Sequence, residues 1–309
     1  MAALVFMVGL VLALTVSADE LPGAFEQQTQ WVMGTTLRIS LPTDLDDRHT
    51  IFNACFAAAH HWDRQLSPWK PEAPLTRLSA SAGSWVTVPD ELLDYLERAV
   101  HDAARSDGIF DITLTHEGSR RLAIDRDLGR ARIPAGSRAL DPGADGKGVA
   151  MDAITAILEE HGVTSFFLDF GGSSFVARGR GPATSGWQIA LTGPSGQMLG
   201  TVQLMDTALS VSSTVQHRQG EDWVVEDRYH LVDLRTGDPV TVRRTAAVLA
   251  PSATEAEVLS TVAAILGHGI PAGFPGCALG VFGDHPDESR IHSDFQHYFT
   301  SVNGIEPGN

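Results

Sequence analysis

The sequence predicts an α+β fold, in which helices flank a mixed or antiparallel sheet. Several short segments alternate between apolar and polar residues, as half-buried strands do. Four longer segments carry apolar residues at helical spacing. These strand and helix patterns do not alternate strictly along the chain, which argues against a doubly wound parallel sheet.

The first predicted strand covers residues 36–41, where Leu37, Ile39 and Leu41 alternate with polar residues. A second strand, at residues 165–170, runs into the pair Gly171-Gly172. Further strands are predicted at residues 187–191, 201–204 and 244–249.

Helices are predicted at residues 51–63, 90–105, 147–161 and 254–266. The first is ended by Ser67-Pro68, and a glycine follows each of the other three. The second helix has the clearest apolar stripe, formed by Leu92, Leu93, Leu96, Ala99, Val100 and Ala103.

The N-terminus predicts export. Residues 2–16 are almost wholly apolar, about the length of a signal-peptide core and short for a membrane span. Small residues at 16–18 suit signal peptidase, although no basic residue precedes them. A buried N-terminal helix is the alternative, but Asp19 and Glu20 follow it at once. We expect a signal peptide at 1–18, one folded domain at 19–283 and a polar, peripheral tail at 284–309. The location is then the periplasm or the outer face of the inner membrane.

Composition and missing motifs exclude several classes. A net charge of −16 argues against a nucleic-acid-binding protein, which needs a basic surface. The two cysteines, Cys55 and Cys277, form no CxxC pair, so a metal knuckle is excluded, whereas a disulfide between them stays open. The chain has no GxSxG or HExxH motif. Gly146-Lys147-Gly148 lacks the remainder of a Walker phosphate loop.

Five short stretches, taken in order, carry a family resemblance. They occupy residues 33–35 (MGT), 66–69 (LSPW), 108–113 (GIFDIT), 141–152 (DPGADGKGVAMD) and 229–239 (YHLVDLRTGDP). With the strand that ends at Gly171-Gly172 and the helix of residues 257–267, they resemble the FAD:protein FMN transferases, the ApbE family. The chain is therefore identified as a divergent member, with an ApbE-like fold over its folded domain.

The resemblance implies a set of flavin contacts. Met33 and Trp69 would hold the flavin ring, and a thioether and an indole both pack well on a flat, polarizable surface. The other implied FAD contacts are Ile109, Phe110, Asp111, Asp141, Lys147 and Val232. The alternatives are core hydrophobic residues for the first pair, turn residues for the two aspartates and a solvated surface lysine for Lys147.

The resemblance also implies Mg²⁺, bound by the backbone carbonyl of Ala144 and by Glu257, Ser260 and Thr261. Positions 257, 260 and 261 share one helix face, and magnesium prefers oxygen ligands. The family usually has aspartate where this chain has the longer Glu257. The alternative is a capping box, with Thr254 as the N-cap and Glu257 at the third helical position.

His230 is the implied catalytic group, because a neutral imidazole can take a proton from an attacking hydroxyl. An ordinary strand residue is the alternative reading. Three positions depart from the family pattern: Ser213 stands for a glycine, Leu234 for a proline and Asp145 for an apolar residue.

The resemblance therefore implies a Mg²⁺-dependent FAD:protein FMN transferase. It would move FMN from FAD to a threonine or serine hydroxyl of an exported or membrane-bound redox flavoprotein, and AMP would leave. Two alternatives stay open. Water could be the acceptor, which gives an FAD pyrophosphatase, or the protein could bind FAD without catalysis, as the substitutions at Glu257, Ser213 and Leu234 favour.

Overall fold

The structure, a computed structural model, describes residues 25–182, 186–219 and 225–302. The predicted signal peptide lies outside these ranges. The helices are α1 (Arg48–Leu66), α2 (Pro74–Ala80), α3 (Asp90–Arg105), α4 (Gly146–Glu160), α5 (Ala253–Leu266) and α6 (Ser293–Gln296). The strands are β1 (Phe25–Val32), β2 (Thr35–Pro42), β3 (Val86–Thr87), β4 (Ala123–Asp125), β5 (Arg130–Arg132), β6 (Phe166–Phe170), β7 (Ser174–Arg178), β8 (Trp187–Thr192), β9 (Met198–Leu204), β10 (Thr207–Ser213), β11 (Val215–Gln219), β12 (Val225–Tyr229), β13 (Val232–Asp233), β14 (Asp238–Pro239), β15 (Thr245–Ala250), β16 (Ala278–Phe282), β17 (Arg290–Ile291) and β18 (Phe299–Ser301).

An eight-stranded sheet in the order β1-β2-β6-β7-β10-β15-β16-β17 forms the centre of the molecule. Its neighbouring strands pair in antiparallel fashion throughout. The α+β class and the antiparallel sheet predicted from the sequence are therefore confirmed. The four predicted helices also form, each within three residues of its expected ends.

One face of this sheet is covered by α1, α4 and α5. Leu37, Ile39 and Leu41 point to this face and are fully buried, as the alternation in β2 predicts. They share a core with Phe52 of α1 and Ile154 of α4. Three packed helices therefore lie over this face of the main sheet.

The opposite face is covered by a second sheet, β18-β9-β8, together with α6. Trp187 of β8 stacks on Phe167 of β6, with ring centroids 4.9 Å apart. Phe295 of α6 is fully buried, and β18 pairs with β9. The segment that follows Asp284 is thus part of the packed structure up to Val302, and the peripheral position expected for it is wrong. Its apolar residues are too few for the sequence pattern to reveal their burial.

A third core lies at one end of the main sheet, around α2, α3 and the small sheet β3-β5-β4. Helix α3 contributes the predicted stripe except for Val100, which is only half-buried, and Ile109 and Phe110 pack into the same cluster. Both cysteines are free thiols, and burial raises the pKa of Cys55 to about 12. Along the described residues, no helix has the length and apolar composition needed to span a membrane.

Candidate functional site

Lys147 and Glu257 meet at the start of α4, although 110 residues separate them in the sequence. Lys147 lies in the first turn of α4, and its Nζ is hydrogen-bonded to Oε1 of Glu257 on α5. The same Nζ donates to Ser174 Oγ of β7 at 2.9 Å, and Ser174 Oγ donates to Glu257 Oε1 at 2.6 Å. The Gly148 N–H donates to Glu257 Oε2 at 2.7 Å. The Glu257 side chain is only 3% exposed, so its own chain supplies every contact that a buried carboxylate requires.

The start of α4 and the start of α5 are joined by side chains in both directions. Asp152 of α4 accepts hydrogen bonds from the Ala253 N–H at 2.7 Å, from the Thr254 N–H at 3.1 Å and from Thr254 Oγ1 at 2.5 Å. Glu257 of α5 in turn binds an N–H in the first turn of α4. Each helix thus satisfies free N–H groups at the start of the other.

The capping-box alternative for Glu257 is wrong. The N-cap of α5 is Ser252, whose side chain accepts from the Glu255 N–H at 3.2 Å. Thr254 lies inside the helix and is bound to Asp152. Two hydroxyl-bearing candidates, Ser252 and Thr254, stand two residues apart in the sequence, and only tertiary contacts select between them. Glu257 is therefore not needed as a cap and faces α4.

Next to the Lys147–Glu257 pair, the hydroxyl groups of serine and threonine side chains lie between β10 and α5. Ser210 and Ser212 alternate with apolar residues on β10 and point toward α5. Ser260 Oγ lies 3.0 Å from Ser210 Oγ and 2.7 Å from Ser212 Oγ, and it donates to the Glu257 carbonyl at 3.1 Å. Thr261 Oγ1 is 3.5 Å from Ser212 Oγ and is only half-buried. Thr261 thus has more freedom to bind a ligand than Ser260, whose hydroxyl is fully engaged.

The predicted metal ligands form an all-oxygen set, which suits magnesium. The Gly148 N–H, four residues beyond Ala144, donates to Glu257 and leaves the Ala144 carbonyl without the bond that a longer helix would give it. Among the described residues there is no group of three or more His, Cys, Asp or Glu that could hold a metal. A magnesium ion at Ala144, Glu257 and Thr261 would therefore complete its coordination with oxygens of water or of a nucleotide. With that addition, the residues present fit the ion.

Asp145, which replaces an apolar residue of the family pattern, is almost fully buried beside this site. Burial raises its pKa to about 8; nearby Arg98 opposes the shift and Glu257 adds to it. Tyr95 Oη donates to Asp145 Oδ1 at 3.2 Å. The carboxyl therefore keeps its proton at neutral pH and adds little charge to the site. Sequence reasoning missed Tyr95, because a tyrosine on the buried face of α3 resembles any core residue.

Of the two residues predicted to hold the flavin ring, Met33 lies at the start of α4. Met33 and Gly34 form the β1–β2 turn with positive φ angles of 50° and 77°, as two-residue hairpin turns require. The methyl end of Met33 lies against Gly146, the first residue of α4. Trp69 follows α1 and is 66% exposed, so it is not a core residue. Contact of either side chain with a flavin ring stays a prediction.

The segment of residues 109–113 and Asp141 have structural roles. Ile109 and Phe110 are buried. The Asp111 carboxylate accepts from the Thr113 N–H and Oγ1 at 2.9 and 2.6 Å, and from the Ser119 N–H and Oγ at 3.0 and 2.9 Å. Asp141 Oδ1 accepts from the Gly143 N–H at 2.8 Å. Both aspartates thus have the turn contacts of the alternative reading, and their contact with FAD stays a prediction.

His230 lies between β12 and β13, Val232 is the first residue of β13, and both are exposed. Protein atoms around the imidazole displace water and, together with the positive charge of Arg228, lower the pKa of His230 below its usual value. The neutral form therefore dominates at pH 7. The structure records no contact from His230 to Lys147 or Glu257, so it does not join the histidine directly to that pair.

A cleft of about 600 Å³ lies beside the end of β12, next to His230 in the sequence. Tyr229, Arg243, Arg244 and Gly267 contribute to its walls. None of the predicted site residues lines this cleft. The Lys147–Glu257 pair and the cleft are therefore separate features.

Comparison with known proteins adds a family match. The sequence model of the ApbE family matches residues 33–270. A protein of Treponema pallidum (strain Nichols) named FAD:protein FMN transferase is 26% identical over 308 residues, which cover 83% of this chain and 84% of the relative. A protein of the same name from Klebsiella pneumoniae (strain 342) is 23% identical over 239 residues, or 66% of this chain and 68% of the relative.

Solved structures share the fold. The ApbE protein of Thermotoga maritima superposes with a TM-score of 0.75 at 20% identity, over 89% of this chain and 99% of that one. The apo form of the flavinyl transferase ApbE of Pseudomonas stutzeri superposes with a TM-score of 0.70 at 22% identity, over 90% of this chain and 95% of that one. At these identities the likeness concerns the fold.

Proposed function

The chain belongs to the ApbE family, and we propose that it is an FAD:protein FMN transferase that acts with Mg²⁺. The curated relatives that it resembles carry that activity in their names. The proposed substrates are FAD and a threonine or serine hydroxyl of an acceptor flavoprotein. The products are the acceptor linked to FMN through a phosphoester, and AMP.

One observation carries the proposal: Lys147 and Glu257 converge at the N-terminus of α4. The free N–H groups of a helix start favour anionic phosphate, and a lysine there adds a full positive charge. An acidic residue beside a diphosphate would be repelled by it unless a cation lay between them. The pairing of cation and carboxylate at a helix start therefore supports a site for a nucleotide diphosphate and a divalent ion.

In the proposed reaction, the acceptor hydroxyl oxygen forms a bond to the phosphorus on the FMN side of the diphosphate. The bond from that phosphorus to the bridging oxygen breaks, and the oxygen leaves with AMP. His230, neutral at pH 7, takes the hydroxyl proton. Lys147 and the positive end of the α4 dipole stabilise the charge on the phosphates.

Magnesium, when bound by Ala144, Glu257, Thr261 and the phosphates, would neutralise the diphosphate further. Met33 and Trp69 would orient the flavin at the opposite side of the start of α4. The exposed indole of Trp69 and the methyl end of Met33 against Gly146 support this placement.

We further propose that the protein is exported and that its acceptor is an exported or membrane-bound redox protein. The apolar segment of residues 2–16 and the small residues at 16–18 support export. N-terminal sequencing of the protein recovered from cells tests it. A mature N-terminus at Asp19 is expected, and an intact Met1 would contradict cleavage by signal peptidase.

The decisive experiment combines the purified protein, FAD, Mg²⁺ and a flavoprotein acceptor, and follows the acceptor by mass spectrometry. A mass increase equal to FMN, together with one AMP per adduct, is expected. Free FMN and AMP in the absence of acceptor would identify a pyrophosphatase instead. Intact FAD that stays bound would identify a non-catalytic flavin-binding protein.

A further inference from the structure

One oxygen of the Glu257 carboxylate, Oε1, is fully occupied by contacts within the chain, and this occupation affects metal binding. Oε1 accepts from both the Lys147 ammonium and the Ser174 hydroxyl, and Oε2 accepts from the Gly148 N–H. Since a carboxylate oxygen accepts about two hydrogen bonds, Oε1 has no lone pair left. A metal ion that used Oε1 would have to displace the lysine.

We propose that Lys147 is the resident counter-ion of Glu257, and that a divalent metal and the lysine ammonium are alternative occupants of this carboxylate. Ser174 is the positioning residue that holds the lysine in the metal-free state. This inference rests on the proposed function, because it assigns an exchange step to the same site. When the nucleotide binds, Lys147 moves to its phosphates and the metal takes the vacated oxygen.

The burial of Glu257 gives the first physical reason. A carboxylate that is 3% exposed and carries a charge needs a cation nearby, and removal of one partner of a buried pair is costly. The lysine supplies that cation without any ligand. Two cations bound to one buried oxygen repel each other strongly. The lysine and the metal therefore cannot occupy that oxygen at the same time.

The reach of the two side chains gives the second reason. Lys147 is 25% exposed and has a flexible stem of four carbons, so its ammonium can leave Glu257 for a phosphate in front of α4. Glu257 cannot follow, because Gly148 binds its other oxygen. The movable partner is therefore the lysine, and the carboxylate stays in place for the metal.

The chain contains two lysines, Lys70 and Lys147, which gives an internal control. Lys70 Nζ donates to Asp63 at 2.6 Å, and its side chain is 40% exposed. It is thus an ion-paired lysine outside the candidate site. Any general effect of ionic strength or reagent acts on both residues.

The first test measures Mn²⁺ binding to the nucleotide-free protein by electron paramagnetic resonance. We expect Lys147→Met to bind Mn²⁺ about 10-fold more tightly than the wild type, because the competing cation is gone. Lys70→Met should match the wild type. Unchanged or weaker binding by the Lys147 variant would overturn the proposal, as would equally tight binding by the double variant Lys147→Met/Glu257→Gln.

The second test needs no variant at position 147. The wild-type protein is treated with limiting acetic anhydride, and the acetylation of Lys147 relative to Lys70 is measured by peptide mass spectrometry. Saturating Mg²⁺ without nucleotide should raise this ratio several-fold, and Ser174→Ala should raise it without metal. If Mg²⁺ leaves the ratio unchanged, the exchange does not occur.

Neither test uses FAD or an acceptor. If the protein passes both tests but transfers no FMN, the results support the cation exchange and contradict the proposed function. If the protein transfers FMN but fails both tests, the results support the proposed function and contradict the cation exchange.

Discussion

Gly148 of α4 lies against Thr254 of α5 with no room for a side chain between them. A Cβ at residue 148 would stand 2.6 Å from Thr254 Cα and 2.7 Å from its backbone nitrogen. This close approach brings the Gly148 N–H to the Glu257 carboxylate. The absence of a side chain at residue 148 therefore sets the distance between the two helices that carry the candidate site.

We expect Gly148→Ala to destabilise the protein by about 1–3 kcal/mol, because backbone atoms cannot yield and the helices must separate. Gly146→Ala is the matched control. Its Cβ would meet the methyl end of Met33 at 3.3 Å, and a flexible side chain can give way. Urea unfolding of both variants checks this, and equal losses would contradict it.

Asp152 should contribute more to stability than the N-cap residue Ser252. It accepts three hydrogen bonds at the start of α5, whereas Ser252 accepts one. We expect Asp152→Ala to cost about 2 kcal/mol or more and Ser252→Ala about 1 kcal/mol. The midpoints of chemical denaturation measure both. The reverse order would show that the contact between the helices contributes little.

Asp145 should make stability depend on pH. Its pKa lies near 3.8 in an unfolded chain and about 8 in the fold. Between these values the folded state keeps a proton that the unfolded state has lost, so stability falls as pH rises. The slope is at most about 1.4 kcal/mol per pH unit.

Asp145→Asn should flatten this slope, since the amide does not titrate and can still accept from Tyr95 Oη. Unfolding in EDTA from pH 4 to pH 8 provides the measurement. A slope that is identical in both proteins would assign the effect to another group.

Asp111→Asn distinguishes a structural role from direct FAD contact. The amide would turn an N–H₂ group toward donors of Thr113 or Ser119, which costs about 1–3 kcal/mol. We expect a lower melting temperature for the free protein. If stability is unchanged and only the FAD dissociation constant rises, the carboxylate acts on the ligand alone.

His230 should make the rate of the transfer reaction fall at acidic pH, which gives the pH–rate profile an acidic limb. Its pKa is below the usual 6.5, so the neutral base predominates at pH 7 and is lost only at lower pH. The single-turnover rate should rise with pH, and the midpoint of this rise should lie below pH 6.5. His230→Gln should lose this limb together with about 100-fold in rate or more. A variant that keeps the limb would exclude His230 as the base.

The elements predicted from the sequence are those in which local periodicity reflects burial. Helix α3 and strand β2 each pack one face against a core. The apolar stripe of α3 and the alternation in β2 reflect this packing, so both were predictable. Helix α2 was not predicted, because seven residues that begin with Pro74 carry too short a pattern. The packing of Phe295 depends on a sheet formed by distant strands, which no local pattern encodes.

The candidate site was predictable only as separate pieces. Lys147 and Glu257 were each predicted through family resemblance, but the bond between them depends on how α4 and α5 cross. Ser174 was missed for the same reason, since a serine after a glycine pair carries no signal of its partners. The alternative interpretation of Glu257 placed the N-cap of α5 at Thr254 instead of Ser252, because Asp152, far away in sequence, decides between them.

The order of strands in the main sheet, β1-β2-β6-β7-β10-β15-β16-β17, is also their order of translation. Each strand leaves the ribosome after the neighbour on which it will pair, so no strand has to insert between two that are already joined. The nascent sheet can therefore lengthen at one edge only, from β1 toward β17. Glu257, carried on the helix after β15, reaches Lys147 only once most of that growth is complete.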